Sequence, residues 1–137
     1  SINAVIKELI KNKDPKILAT NAFHKIKNKK DVFNKNIVKT IFDKNKKVLS
    51  FSRYPIPFSK KRNIIYYRQI GLYAFSKKGL SIFNKLKPGL IEKNETVEMF
   101  RIIENGYNIK MVEVMNSSIS VDTPRDLKKI KRYFKKS

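Results

Sequence analysis

Apolar side chains along this chain change their period several times, and each change marks an element. Ile2, Val5, Ile6, Leu9 and Ile10 recur at helical spacing up to the breaker Lys11-Asn12-Lys13-Asp14-Pro15, which predicts an amphipathic helix. Ile17-Leu18-Ala19 lies inside a short buried strand predicted over residues 16–20. The Lys- and Asn-rich stretch 21–35 has little apolar material beyond Phe23, Ile26, Val32 and Phe33, and is expected to be an exposed loop. Residues 37–42 and 48–53 are strand-like, and Asp43-Lys44-Asn45-Lys46 between them has the composition of a hairpin turn, so an antiparallel pair is predicted.

Tyr54-Pro55-Ile56-Pro57-Phe58 must leave the sheet, because its two prolines remove ladder donors. A strand returns over residues 68–75, with Gln69, Gly71 and Tyr73 on one face and Ile70, Leu72 and Ala74 on the other. One face has the character of core and the other of a site. Ser76 is positioned to cap a helix running to Leu86, which Pro88-Gly89 ends. A second helix is predicted over residues 95–105, with Gly106 as its left-handed terminator, followed by a strand over residues 109–114. Ser120-Val121-Asp122 closes a further strand, after which Thr123 caps and Pro124 opens a last helix carrying Leu127, Ile130 and Phe134. Alternation of strands and helices predicts an α/β architecture with a mixed sheet.

The length of 137 residues suits a single domain, 1–137, sharing one core. With no cysteine, disulfides, thiolate zinc sites and cysteine nucleophiles are excluded, and with His24 as the only histidine, so are zinc sites that need two. No apolar run nears the roughly 20 residues that cross a bilayer, so the expectation is a soluble, cytoplasmic protein. Lys and Arg total 32 against 11 Asp and Glu, a net charge of +21. A nucleic-acid-binding module would gather that charge into a stripe with interleaved aromatic groups. Here it is scattered, and the joint abundance of Lys, Asn and Ile points to a compositional bias; the best local anion patches are Lys60-Lys61-Arg62 and Tyr66-Tyr67-Arg68.

Few residues carry recognisable chemistry. Asp122, at the end of a strand just before a helix, lies where open α/β sheets bind ligands; it serves there either as a metal ligand or as part of the helix cap. Glu95 and Glu98 share a helical face, available to a hydroxylated ligand or to water. Arg53, at a strand exit, has the geometry to clamp a carboxylate or to be solvated. His24, in a polar stretch without a carboxylate pair, fits a surface position better than a base. No phosphate-cradling glycine loop exists in the chain.

Five blocks together carry a resemblance: Asn34-Lys35-Asn36-Ile37-Val38-Lys39, Leu49-Ser50-Phe51-Ser52-Arg53-Tyr54-Pro55-Ile56-Pro57-Phe58, Gln69-Ile70-Gly71-Leu72-Tyr73-Ala74-Phe75, residues 95–106, and Ser120-Val121-Asp122-Thr123-Pro124. In order and approximate spacing they resemble the 3-deoxy-manno-octulosonate cytidylyltransferase (CMP-Kdo synthetase) family over nearly the whole chain. The resemblance implies a Rossmann-like mixed sheet of the nucleotide-sugar transferase type with an antiparallel hairpin excursion. It also implies coupling of CTP to a sugar acid to give the CMP-sugar and pyrophosphate for lipopolysaccharide biosynthesis, a magnesium cofactor and a homodimer.

By position, the resemblance makes Asp122 the catalytic magnesium ligand and assigns Arg53 to the sugar carboxylate, with Tyr73 in the sugar pocket and Glu98 on sugar hydroxyls. Gln69 stands where many members have His, and Met99 where they have Gln, so both are expected to line and retune that pocket. The resemblance leaves open which sugar acid is used, 3-deoxy-manno-octulosonate or a relative such as sialic acid. The family's glycine-rich triphosphate loop and second magnesium Asp have no counterpart here. The chain is therefore expected to be the C-terminal portion of such a domain, incomplete at its N-terminus and inactive alone.

Overall fold

The structure is a computed structural model that describes residues 2–61 and 63–115. In chain order its elements are α1 (Ile2–Lys11), β1 (Ile17–Lys25), α2 (Lys29–Val32), β2 (Lys39–Phe42), β3 (Val48–Ser52), β4 (Tyr67–Phe75), α3 (Lys77–Lys85), α4 (Leu90–Glu95), α5 (Phe100–Glu104) and β5 (Asn108–Glu113). The strands form one mixed sheet in the order β3-β2-β4-β1-β5, antiparallel except for the β1–β5 pair. Apolar residues cover both faces, because helices pack on both. Val5 of α1 packs with Ala22, Val114, Ile70 and Leu72 on one side. On the other, Phe83 of α3 and Phe100 and Ile102 of α5 join Phe23, Phe51, Ile109 and Met111. The α/β mixed sheet and its β2–β3 hairpin are as expected.

The hairpin turn is held by its aspartate: Asp43 Oδ1 accepts from the backbone N–H groups of Asn45 (2.8 Å) and Lys47 (2.9 Å). Ser76 caps α3 by accepting from the Gly79 N–H at 2.9 Å. A Cβ at Gly79 would sit 2.4 Å from the Leu18 carbonyl oxygen, so only glycine lets α3 approach β1 this closely. Gly106, with φ of 85°, ends α5 in the left-handed region as its position predicts.

Three expectations are corrected. Residues 21–25 are not an exposed loop but the second half of β1, paired on both edges and buried through His24. His24 is accordingly 8% exposed, not a surface group, and its Nδ1 donates to the Lys25 carbonyl at 2.9 Å. The third concerns the helix over residues 95–105, which is broken. Helix α4 ends at Glu95, Thr96 takes the left-handed conformation (φ 54°, ψ 44°), and α5 starts at Phe100. The closing strand and last helix, with Asp122, lie outside the described residues.

Candidate active site

The polar face of β4 is organised by a bulge. Between the pairs Asn21↔Tyr73 and Phe23↔Gln69, β4 places Ile70, Gly71 and Leu72 opposite Ala22 alone. The extra residues leave carbonyls without ladder partners, and Asn21 takes them over: its Nδ2 donates to the oxygens of Ile70 (2.8 Å) and Leu72 (3.0 Å). Its Oδ1 accepts from Gln69 Nε2 at 2.9 Å. Asn21 is completely buried, so its end of this network is closed to water. Gln69, Gly71 and Tyr73 share this face, as the alternation predicts, and nothing lies within 4 Å of where a Gly71 Cβ would stand.

Tyr73 is 38% exposed, and its phenol is held above its ordinary pKa, first by partial burial and then by the nearby negative charge of Glu98. Tyr73 on β4 and the exposed Glu98 in the turn before α5 thus lie within electrostatic reach of each other. Met99 is not on this polar surface. It is 2% exposed within the main apolar cluster, because the turn that points Glu98 outward points the next side chain into the core.

Arg53 sits at a junction instead of in a cleft. Its Nε donates to the Glu95 carbonyl (2.6 Å), Nη1 to the Lys35 carbonyl (2.9 Å), and Nη2 to the carbonyl (3.2 Å) and hydroxyl (2.9 Å) of Thr96. Its backbone N–H donates to Glu95 Oε2 at 3.1 Å. In an unbroken helix the carbonyls of Glu95 and Thr96 would serve backbone N–H groups one turn on. The guanidinium takes those carbonyls instead, which is why the helix breaks here. One N–H of Nη1 has no partner among the described residues and is the only donor left for a ligand.

Behind this junction lies a lysine that sequence reasoning overlooked. Lys39 is fully buried, and its Nζ donates to the carbonyls of Asn34 (2.8 Å), Ile37 (2.8 Å) and Arg53 (2.6 Å). Burial, and then the charge of Arg53, hold its pKa below the usual lysine value, with Glu95 opposing. A single lysine inside the apolar run Ile37-Val38-Lys39-Thr40-Ile41 is the signal that was available. For Asn21 the signal was its alternation with Ala19 and Phe23. Helices α4 and α5 are tied together by Arg101, which grips both oxygens of Glu92 at 2.9 and 2.7 Å, and this fixes the loop that carries Glu98.

A cleft of about 180 Å³ opens elsewhere, between the C-terminal end of α1 and the start of α3, and none of the expected site residues lines it. The candidate site is instead the open strand face of Gln69 and Tyr73 with Glu98 at its border.

Residues 1–133 match the cytidylyltransferase family, and the chain belongs to it. Among named relatives, it is 36% identical over 137 residues to the 3-deoxy-manno-octulosonate cytidylyltransferase of Fusobacterium nucleatum, covering 99% of this chain and 55% of that protein. The enzyme of the same name from Solibacter usitatus is 34% identical over 139 residues, covering 100% of this chain and 54% of the relative. A solved structure of CMP:2-keto-3-deoxy-manno-octonic acid synthetase complexed with CTP superposes with a TM-score of 0.79 and 25% identity, over 98% of this chain and 55% of that one. The chain spans about half the length of the relatives it matches. No helix among the described residues is long and apolar enough to cross a membrane.

Proposed function

We propose that this chain is part of a cytidylyltransferase that couples CTP to 3-deoxy-manno-octulosonate, giving the CMP-sugar and pyrophosphate for lipopolysaccharide biosynthesis. The observation that carries this is the similarity to enzymes of that name along the full chain, including the strand that bears Gln69 and Tyr73. In the reaction, the anomeric hydroxyl oxygen of the sugar bonds to the α-phosphorus of CTP. The bond from that phosphorus to the β-bridging oxygen breaks in line, pyrophosphate leaves, and the hydroxyl proton passes to solvent. Little covalent chemistry falls to the protein, so its task is to position two acidic substrates against each other.

Each residue then has a part. The remaining N–H of Arg53 donates to the sugar carboxylate, while Tyr73, Glu98 and Gln69 hold sugar hydroxyls. The four glycines of the chain, at positions 71, 79, 89 and 106, do not cluster, so the triphosphate is cradled by residues outside it and the polypeptide alone does not turn over. Among the described residues no three carboxylate or imidazole groups gather to hold a metal. A magnesium ion would neutralise phosphate charge, and Asp122 would be among its ligands. CTP as co-substrate puts the reaction in the cytoplasm, and the working unit is a homodimer.

The test is pyrophosphate release by the full-length enzyme with CTP and a panel of sugar acids. Turnover of 3-deoxy-manno-octulosonate, with sialic acid far poorer, supports the proposal. Preference for sialic acid moves the substrate, and salt-sensitive nucleic-acid binding without turnover defeats it. Asp122→Asn is expected to lower turnover on the order of a hundredfold with folding intact.

A further inference from the structure

We infer that Asn21 is a positioning residue that fixes the amide of Gln69 so that its oxygen, a hydrogen-bond acceptor, is the end turned to the sugar acid. The ligand group that meets this oxygen is therefore a hydroxyl or an ammonium and not a carboxylate; the inference rests on the sugar-acid reading above.

A glutamine amide normally turns either its oxygen or its nitrogen to a ligand, since the two ends have the same shape. Here the choice is made from behind. Asn21 Nδ2 is committed to the carbonyls of Ile70 and Leu72, which can only accept. Its Oδ1 must therefore be the end that faces Gln69. Two carbonyl oxygens in contact repel, so Gln69 presents Nε2, at 2.9 Å. Reversing the Gln69 amide would set oxygen against oxygen at a site where Asn21 is wholly buried and no water can relieve the conflict.

Gln69 Oε1 is thus the free end. It has no partner among the described residues and is not sealed from solvent. The open space beside Gly71, on the same face, leaves room for a ligand to reach it. The bulge is what joins these features, because it creates the unpaired carbonyls that orient Asn21.

Full-length enzyme should be assayed with the sugar acid and with analogues that each lack one hydroxyl. Gln69→Met keeps the length of the side chain but removes the acceptor together with the N–H that reaches Asn21. It is expected to raise the sugar-acid KM about tenfold, as loss of one hydrogen bond to a neutral donor does. The KM for CTP should stay the same, kcat should fall far less, and one analogue should be used equally well by parent and variant. Asn21→Ser is expected to raise the sugar-acid KM in the parent and to add nothing once residue 69 is Met, whereas a merely structural role would give additive effects. Equal losses on every analogue, or additive effects, would overturn the inference. If Asn21→Ser does not fold, Gln69→Met with the analogue panel decides alone. No turnover of any sugar acid by the parent overturns the functional reading together with this one. Turnover with an unchanged KM in Gln69→Met overturns only this one.

Discussion

Two polar regions of this molecule look alike in composition and behave differently. At the junction of Lys39, Arg53 and Thr96, two cations spend nearly all their donors on backbone carbonyls of the protein itself. On the β4 face, Asn21 closes its own network and leaves an oxygen of Gln69 and the phenol of Tyr73 turned outward. Charge draws attention in a sequence, yet here the neutral amide keeps a free end while the guanidinium is largely a brace. The frame and the face of a site are separated by which hydrogen bonds are already made, not by which residues are charged.

Substitutions at the junction should cost stability, and substitutions on the face should cost binding. The largest effect is expected from Lys39→Met, which takes a buried donor away from three carbonyls and should lower the free energy of unfolding of the full-length protein by about 3 kcal/mol. Of the three, only that of Asn34 keeps another partner among the described residues, the Ile37 N–H. Denaturant melts measure it, and an unchanged midpoint would remove the distinction at its root. Arg53→Ala should cost about 2 kcal/mol in the same melts and also raise the sugar-acid KM, because one side chain both braces the Glu95–Thr96 turn and keeps one N–H without a partner among the described residues. A rise in KM without loss of stability would make Arg53 a ligand group alone.

Met99→Gln restores the residue that the family resemblance leads one to expect, but puts an amide into an apolar cluster. It should destabilise by about 1.5 kcal/mol without improving sugar affinity. A gain in affinity would return position 99 to the pocket.

The smallest effect is a titration. The folded-state pKa of Tyr73 is raised, so the folded protein keeps that proton longer than the unfolded chain. The stabilisation linked to it is complete below the unfolded value of 10.0 and is lost as pH rises through the folded one. Glu98→Gln should lower the Tyr73 midpoint while leaving it above 10.0, since burial is the larger cause. Difference ultraviolet spectra of tyrosinate formation, with Tyr73→Phe as reference, measure it; no movement would separate Glu98 from Tyr73.

Local signals in the sequence were sound where short-range chemistry decides the conformation. The hairpin at Asp43, the Ser76 cap, the left-handed Gly106 and the two faces of β4 all depend on residues a few positions apart. The polar stretch after Thr20 misled because a buried asparagine is unfavourable until something distant satisfies it, and the carbonyls that do so are 49 and 51 positions away. The helix over residues 95–105 misled for the same reason, since the guanidinium that breaks it comes from a separation of 42.

The order of residues by itself determined the alternation of strands and helices, the polar face of Gln69 and Tyr73, and the family. Only the tertiary structure decided which of the expected site residues brace the fold, which one is core, and which end of the Gln69 amide faces outward. A hydrogen-bonding group can be donor, acceptor or already satisfied, and that state depends on partners that folding brings from far along the chain.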